Sequence, residues 1–366
     1  MVAGRRRGIM DRSWLRSFVL AAAMAIAAAC TPDTADDVAP QETAPDDRGF
    51  AAATDLPELV REVAPQTVSV EITGADGLPG AGSGVIWSSE GVIVTNAHVV
   101  AVADQIAVVL ADGSRFDAEV VAADVRTDVA VLRIDATGIP AATFSEVLPD
   151  IGEFALALGN PLGFQNTATA GIVAGVDRSL PVVPDMPPLV GLIQTDAAIS
   201  SGSSGGALVG VDGEVIGINV AAIEGAQVPG VAQGLGFAIP STTVVPVVEQ
   251  LLEDGEVAHA FLGIAGVTLT PQLADRFELQ AERGVLIGEV QPGGPADEAG
   301  LEQGEVVVGL DDQDVESLGD LLTILRRLAP GERVTVDVLR NGEQAMAEVT
   351  LDELPDEGLT EPPPAP

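Results

Sequence analysis

The chain has 366 residues, room for about two or three domains of ordinary size, and 47% of it is hydrophobic while only 3% is aromatic. It contains no lysine, so 17 arginines face 55 acidic residues and the net charge is -38. So anionic a chain excludes binding to nucleic-acid phosphates, which requires cations to displace counterions, and electrostatic attachment to anionic lipid. A charge of this sign solubilises a surface and names no substrate.

The single cysteine, Cys30, excludes an internal disulfide framework. Its position is informative. Arg5, Arg6, Arg7, Arg12 and Arg16 precede an uncharged run from Ser17 to Ala29 that is too short to span a bilayer and suits the core of an export signal. The run ends Ala27-Ala28-Ala29-Cys30, which resembles a bacterial lipoprotein signal, so lipidation of Cys30 is expected; ordinary cleavage at the small-residue site is the alternative. Residues 1–30 are thus read as the signal. Residues 31–54, rich in Pro, Thr, Asp and Glu, cannot bury enough apolar surface to offset ordering entropy and form an acidic tether. Residues 354–366 have the same character.

Between these tails a helical stub around Leu56–Val63 leads into short Val-rich runs separated by glycine turns. Strands are predicted at Val68–Ile72, Ser83–Trp87, Val92–Asn96, Gln105–Leu110, Ala118–Ala123 and Val129–Ile134. Others are predicted at Phe154–Leu158, Ala168–Gly175, Ala207–Val209, Val215–Val220 and Gly236–Ile239. Strands at this spacing indicate a sandwich or a pair of barrels rather than a parallel sheet. A helix at Val244–Leu252 closes this unit, residues 55–250. A second unit, 258–353, has strands at Gly284–Val290, Glu305–Leu310, Arg333–Arg340 and Gln344–Leu351. It also has a helix at Leu318–Leu328, and Arg340-Asn341-Gly342-Glu343 marks a hairpin.

Only His98 and His259 can act as neutral-pH bases. His98 ends the run Val92–Val100, where a base can reach both a nucleophile and an orienting carboxylate. Asp128 opens the apolar run Val129–Leu132, and a carboxylate buried there needs a partner such as an imidazole N–H. Ser204 lies in Ser200-Ser201-Gly202-Ser203-Ser204-Gly205-Gly206, a turn whose glycines allow the backbone amides of Gly202 and Ser204 to converge as an oxyanion hole. Taken singly, these are a structural histidine, a turn cap and a flexible loop. In the order His, Asp, Ser on an all-β background they form a candidate triad.

The text around them resembles the HtrA (high-temperature-requirement) family of trypsin-like serine proteases. GSGVI stands at Gly82–Ile86, IVTNAHVV at Ile93–Val100, DVAVLRI at Asp128–Ile134 and ALGNPLG at Ala157–Gly163. TAGIVAG follows at Thr169–Gly175, IQTDAAI at Ile193–Ile199, VIGIN at Val215–Asn219 and GFAIP at Gly236–Pro240. The resemblance implies a mainly β fold, a chymotrypsin-like double barrel followed by one α+β PDZ domain. It implies a serine endopeptidase acting on unfolded or misfolded envelope proteins without metal or organic cofactor, assembled as a homotrimer. By the same analogy Gly202, Ser203 and Ser204 supply the oxyanion hole. Ile199, Ala222 and Leu235 line a pocket for small aliphatic residues, and Phe261, Leu262, Gly263 and Ile264 bind a peptide C-terminus. Arg178, in the Gly175–Leu189 loop, is the candidate regulatory relay. His259, standing where relatives tend to have arginine, is expected to attract a peptide carboxylate when protonated. Serines at 201 and 203 depart from the family's usual Pro and Asn. A catalytically silent PDZ scaffold or chaperone-like binder, and a structural envelope protein, are the competing classes; labelling of Ser204 by a fluorophosphonate separates them from the enzyme.

Overall fold

The computed structural model describes residues 56–75, 77–159, 167–180, 188–220 and 235–355. Cys30, the 1–30 and 31–54 segments, Ala222 and the tail beyond residue 355 lie outside the described residues.

Helix α1 (Leu56–Val63) enters a first six-stranded closed barrel. Its strands are β1 (Thr67–Gly74), β2 (Pro79–Ser88), β3 (Val92–Thr95), β4 (Ala103–Val109), β5 (Arg115–Asp124) and β6 (Val129–Ile134), joined in the order β1-β2-β3-β6-β5-β4. The one-turn helix α2 (Ala97–Val100) bridges β3 and β4. A second closed barrel follows, with β7 (Phe154–Gly159), β8 (Thr167–Arg178), β9 (Leu192–Thr195), β10 (Ala207–Val209), β11 (Val215–Val220) and β12 (Gly236–Pro240). Their order is β10-β11-β12-β9-β8-β7. Closure removes sheet edges, which suits chains of short Val-rich strands.

Residues on one face of a strand line the barrel interior, and those on the other face normally meet solvent. In β3, β10, β11 and β12 every residue is buried, because these strands also pack between the barrels or beneath a helix. Val94 and Val131 of the first barrel share one core with Leu158 and Ile218 of the second. Helix α3 (Ser241–Glu253) leaves the second barrel and packs back over β5 and β6 of the first, contributing Val244, Val248 and Leu251 to that core.

The C-terminal unit begins with β13 (Ala260–Phe261) and β14 (Ile264–Thr268), then α4 (Pro271–Arg276), β15 (Val285–Val290) and α5 (Pro295–Glu298). It continues with β16 (Val306–Leu310), β17 (Gln313–Asp314), α6 (Leu318–Leu325), β18 (Arg333–Arg340), β19 (Glu343–Thr350) and β20 (Asp352–Glu353). The main sheet runs β14-β15-β16-β18-β19, with β17 paired to β16. Alternation in β18 sends Val334, Val336 and Val338 into a separate core beneath α6. The hairpin turns at Asn341 and Gly342, both at positive φ.

Two sequence expectations change. The Gly175–Leu189 loop begins later, since β8 continues to Arg178 and pairs there with Leu192. The α6 helix stops at Leu325, where Arg326 caps it instead of extending it to 328. Among the described residues no helix is long and apolar enough to cross a membrane.

Leu251 is 1% exposed in the core that joins both barrels. Leu251→Ala is expected to cost about 2–5 kcal/mol in urea unfolding, whereas Met346→Ala on the exposed face of β19 should change stability by no more than about 0.5 kcal/mol.

Candidate active site

β3 delivers His98 on the α2 turn, and the β5–β6 connection delivers Asp128. Asp128 is 2% exposed and sits at φ 58°, a left-handed conformation held by bonds on both its backbone and its side chain. Its carbonyl accepts from Asn96 Nδ2 (3.0 Å) and the Ala97 N–H (3.2 Å). The carboxylate accepts the His98 backbone N–H at 2.9 Å and lies 2.8 and 3.0 Å from His98 Nδ1. A carboxylate so placed fixes the tautomer with the proton on Nδ1 and leaves Nε2 as the acceptor. Three consecutive residues, Asn96 to His98, thus hold Asp128, and Asp128 holds the ring.

The Ser200–Gly206 turn sits between β9 and β10, at the mouth of the other barrel. Gly205 has φ 84°, and a Cβ there would lie 2.2 Å from the Ser83 carbonyl oxygen and 2.3 Å from Thr95 Oγ1. Only glycine allows the turn so close to the first barrel. Its N–H donates to the Asn219 carbonyl at 2.9 Å, and the Gly206 N–H donates to the Ser203 carbonyl at 3.0 Å. Asn219 is fully buried, with Nδ2 bonded to the Leu158 and Ala207 carbonyls at 3.0 Å each. Because a trans peptide points its C=O and N–H in opposite directions, the Ser203-to-Gly206 bond aims the Ser204 N–H away from Gly206. Ser204 itself is 6% exposed.

Three residues expected at the site need separate statements. The Ser203 N–H donates to the Ser200 carbonyl at 2.8 Å, so this amide closes the turn and is not a hole donor; Gly202, at φ 92°, and Ser204 remain the candidates. Ile199 is buried and packs against Gly236, where a Cβ would meet its side chain at 2.8 Å. Leu235, immediately before β12, is 36% exposed. β8 is tied beneath this region by the Asp196 carboxylate, which accepts the Ile172 N–H at 2.7 Å, and by Thr169 Oγ1, which donates to the Ala198 carbonyl at 2.7 Å. Among the described residues no cluster of His, Cys, Asp and Glu could hold a metal ion.

The trypsin-like peptidase domain family matches residues 82–218, and the PDZ domain family matches residues 260–351. A probable periplasmic serine endoprotease, DegP-like, from Halomonas elongata is 43% identical over 277 residues, 75% of this chain and 57% of that protein. The periplasmic pH-dependent serine endoprotease DegQ of Escherichia coli is 36% identical over 326 residues, 81% of this chain and 70% of that protein. Among solved structures, the HtrA-type protease AlgW with tripeptide superposes with a TM-score of 0.66 at 36% identity. That match covers 82% of this chain and 97% of that one. The chain belongs to the HtrA family of trypsin-like serine endoproteases. It spans little more than half the length of the DegP-like relatives it matches.

In the PDZ domain, Leu262 is buried in the core while its carbonyl accepts the Ala296 N–H (3.0 Å), and the Gly263 carbonyl accepts the Gln291 N–H (2.9 Å). The Gly263 and Ile264 amides therefore point away from those donors, the geometry a carboxylate-binding loop requires. Thr268 Oγ1 on β14 accepts the Leu318 N–H at the start of α6 at 3.0 Å.

The contact between the PDZ domain and the protease domain is built on arginine. Arg326, at the end of α6, donates to the carbonyls of Arg126 (2.6 Å), Pro188 (2.9 Å) and Val190 (3.1 Å) in the protease domain. Burial, together with the nearby Arg126 charge, pulls its pKa down to about 10 against the favourable Asp124 charge, so it stays charged at neutral pH. Arg327 pairs with Asp177 on β8. Arg178, the residue singled out in sequence, lies with its guanidinium over Gly175, and the charge pair to the PDZ domain is made by its neighbour Asp177. The expectation for His259 is also corrected: its Nε2 lies 3.0 Å from Asp124 Oδ1 of the protease domain, so the ring is engaged by that carboxylate rather than turned to a peptide terminus. No sequence motif announced Arg326, because its partners are backbone carbonyls that only the packed domains bring together.

Burial raises the Asp124 pKa, but the His259 imidazole, the Thr127 hydroxyl and the Arg126 N–H outweigh it and hold the carboxyl below its usual 3.8. A carboxyl depressed in the folded state stabilises it fully above the ordinary value and loses that contribution as the pH falls below it. Hydrogen exchange at α6 should therefore quicken as pH drops below 3.8, after correction for intrinsic rates, and Asp124→Asn should remove that dependence. At pH 7, Arg326→Ala should cost on the order of 2–4 kcal/mol in the docking of the two domains and expose α6 to exchange.

Proposed function

We propose that this chain is an exported serine endopeptidase that cleaves unfolded or misfolded envelope proteins by acyl-enzyme chemistry. The observation that carries the reading is the buried Asp128 carboxylate fixed on His98 Nδ1, beside a nucleophile turn whose backbone is pinned on every side. In the reaction, Ser204 Oγ attacks the peptide carbonyl carbon as His98 Nε2 takes its proton. The tetrahedral oxyanion is held by the Gly202 and Ser204 amides. The C–N bond then breaks as His98 returns the proton to the leaving amine. Water, deprotonated by the same imidazole, hydrolyses the ester and regenerates Ser204. The steps draw on side chains and amides alone.

The finer reading follows from the same family. Residues 55–250 act as the protease domain, and 258–353 as a PDZ domain that takes peptide C-termini on Phe261–Ile264 and recognises or regulates. The pocket at Ile199, Ala222 and Leu235 favours small aliphatic residues before the cut; the buried, apolar Ile199 side chain supports this. The curated relatives carry periplasmic names, which supports export. The Ala27–Cys30 sequence supports a lipid anchor on Cys30, and assembly as a homotrimer completes the proposal.

Casein digestion with mass spectrometry of the cut sites tests activity and pocket together: cuts after Val and Ala are expected, and cuts after charged residues would overturn the pocket. Ser204→Ala should abolish both digestion and fluorophosphonate labelling. Asp128→Asn should lower kcat by about four orders of magnitude with little loss of fold, read in the same assay beside a thermal melt.

A further inference from the structure

Ser83 is the second residue of the GSGVI run on β2, in the barrel opposite the nucleophile, and is fully buried. Its hydroxyl donates to the Gly202 carbonyl at 2.7 Å, and its backbone N–H donates to the Ser204 carbonyl at 2.7 Å. Its own carbonyl accepts from Thr95 Oγ1 at 2.7 Å, which ties it to β3, the strand leading to His98.

These bonds act on rigid units. The peptide joining Gly202 to Ser203 is held at its oxygen by the Ser83 hydroxyl and at its N–H by the Ser200 carbonyl. The peptide joining Ser204 to Gly205 is held at its oxygen by the Ser83 N–H and at its N–H by the Asn219 carbonyl. A peptide plane pinned at both ends cannot rotate without breaking a bond. Between the two lies the peptide that carries the Ser204 N–H. Gly202, whose own N–H is the other hole donor, has a φ of 92° that glycine adopts freely, so nothing intrinsic to that residue resists rotation. The restraint comes from the bonds on the peptide that follows it, of which the Ser83 hydroxyl makes the one that crosses from the other barrel.

We propose that Ser83 is the positioning residue of the oxyanion hole: from the opposite barrel, its hydroxyl and N–H grip the carbonyls on either side of Ser203 and so fix the direction in which the nucleophile turn presents its amides. The inference rests on the protease reading above and adds a residue that touches neither substrate nor reacting atoms. The hydroxyl is the separable half, because substitution leaves the N–H in place. Loss of the hydroxyl should weaken oxyanion stabilisation and leave substrate binding alone, since the hole acts on charge that develops only in the transition state.

The test compares the full-length protein with Ser83→Ala, and with Ser241→Ala as a structural control. Ser241 loses an equivalent buried hydroxyl-to-carbonyl bond, to Val215, remote from the turn. Ser83→Ala should lower kcat by about 10–100-fold with KM unchanged, and should raise the inhibition constant of a peptide boronic acid by a like factor. Binding of the corresponding product peptide should not move. Ser241→Ala should lower thermal stability with kcat retained. Should the alanine variant fail to fold, Ser83→Cys keeps the side-chain shape with a far weaker donor and reads the same difference. Unchanged kcat and boronate affinity in the variant, or equal losses in both serine variants, would overturn the inference while leaving the protease reading intact. Absence of fluorophosphonate labelling in the unsubstituted protein would overturn both.

Discussion

A carboxylate buried in an apolar barrel is the constraint around which this molecule is organised. Asp128 is 2% exposed at the start of a strand whose other residues are almost all buried aliphatics. Ionised in such a place without partners, it would destabilise the fold by several kcal/mol or take up a proton. His98 alone meets its oxygens, through the backbone N–H and through Nδ1 facing both of them, and two more donors satisfy its carbonyl. The same bonds that make the charge tolerable aim the imidazole. Fold stability and site geometry are here one set of interactions.

The nucleophile turn shows the converse arrangement, in which a flexible segment is made rigid from outside. Its glycines and serines have little intrinsic preference for one backbone path. Order comes from Asn219 beneath it, in the same barrel, and from Ser83 and Thr95 across the seam. Because Ser83 is itself fully buried, it can offer its hydroxyl to the other barrel without competition from water. The two barrels are therefore coupled through hydrogen bonds to the turn as well as through their shared core.

How much of this could be read from the sequence divides along the range of the interactions. The α1 stub, the β6, β10 and β11 strands and the Asn341-Gly342 hairpin follow from local composition and alternation, and the structure places them at the ranges the pattern indicated. The His98–Asp128 pairing followed from motif order and residue chemistry. Other features were not legible. β9 and β14 are short and glycine-flanked, with too few residues to show a period, and the α4 turn has none. Ser83 could be seen as part of a motif but not as a donor to residue 202, more than a hundred positions away. His259 was legible as a histidine and misread as to its partner, since Asp124 reaches it only after the PDZ domain folds back on β5.

The interdomain contact also answers what the acidic composition left open. With 55 acidic residues and no lysine, two domains of like charge repel unless each contact brings cations of its own. The end of α6 is followed by two in succession. Arg327 meets Asp177, and Arg326 turns from carboxylates to three backbone carbonyls whose dipoles attract a cation at less desolvation cost than a second buried ion would add. At its other end α6 is bound to β14 through Thr268, and along its length Gly319 admits the Ser179 side chain where a Cβ would stand 2.2 Å from the hydroxyl oxygen. One short helix is thus fastened to the PDZ sheet at its start and to the protease loop at its end. Through Pro188 and Val190 the Arg326 contact reaches the segment leading into β9, the strand that precedes the nucleophile turn.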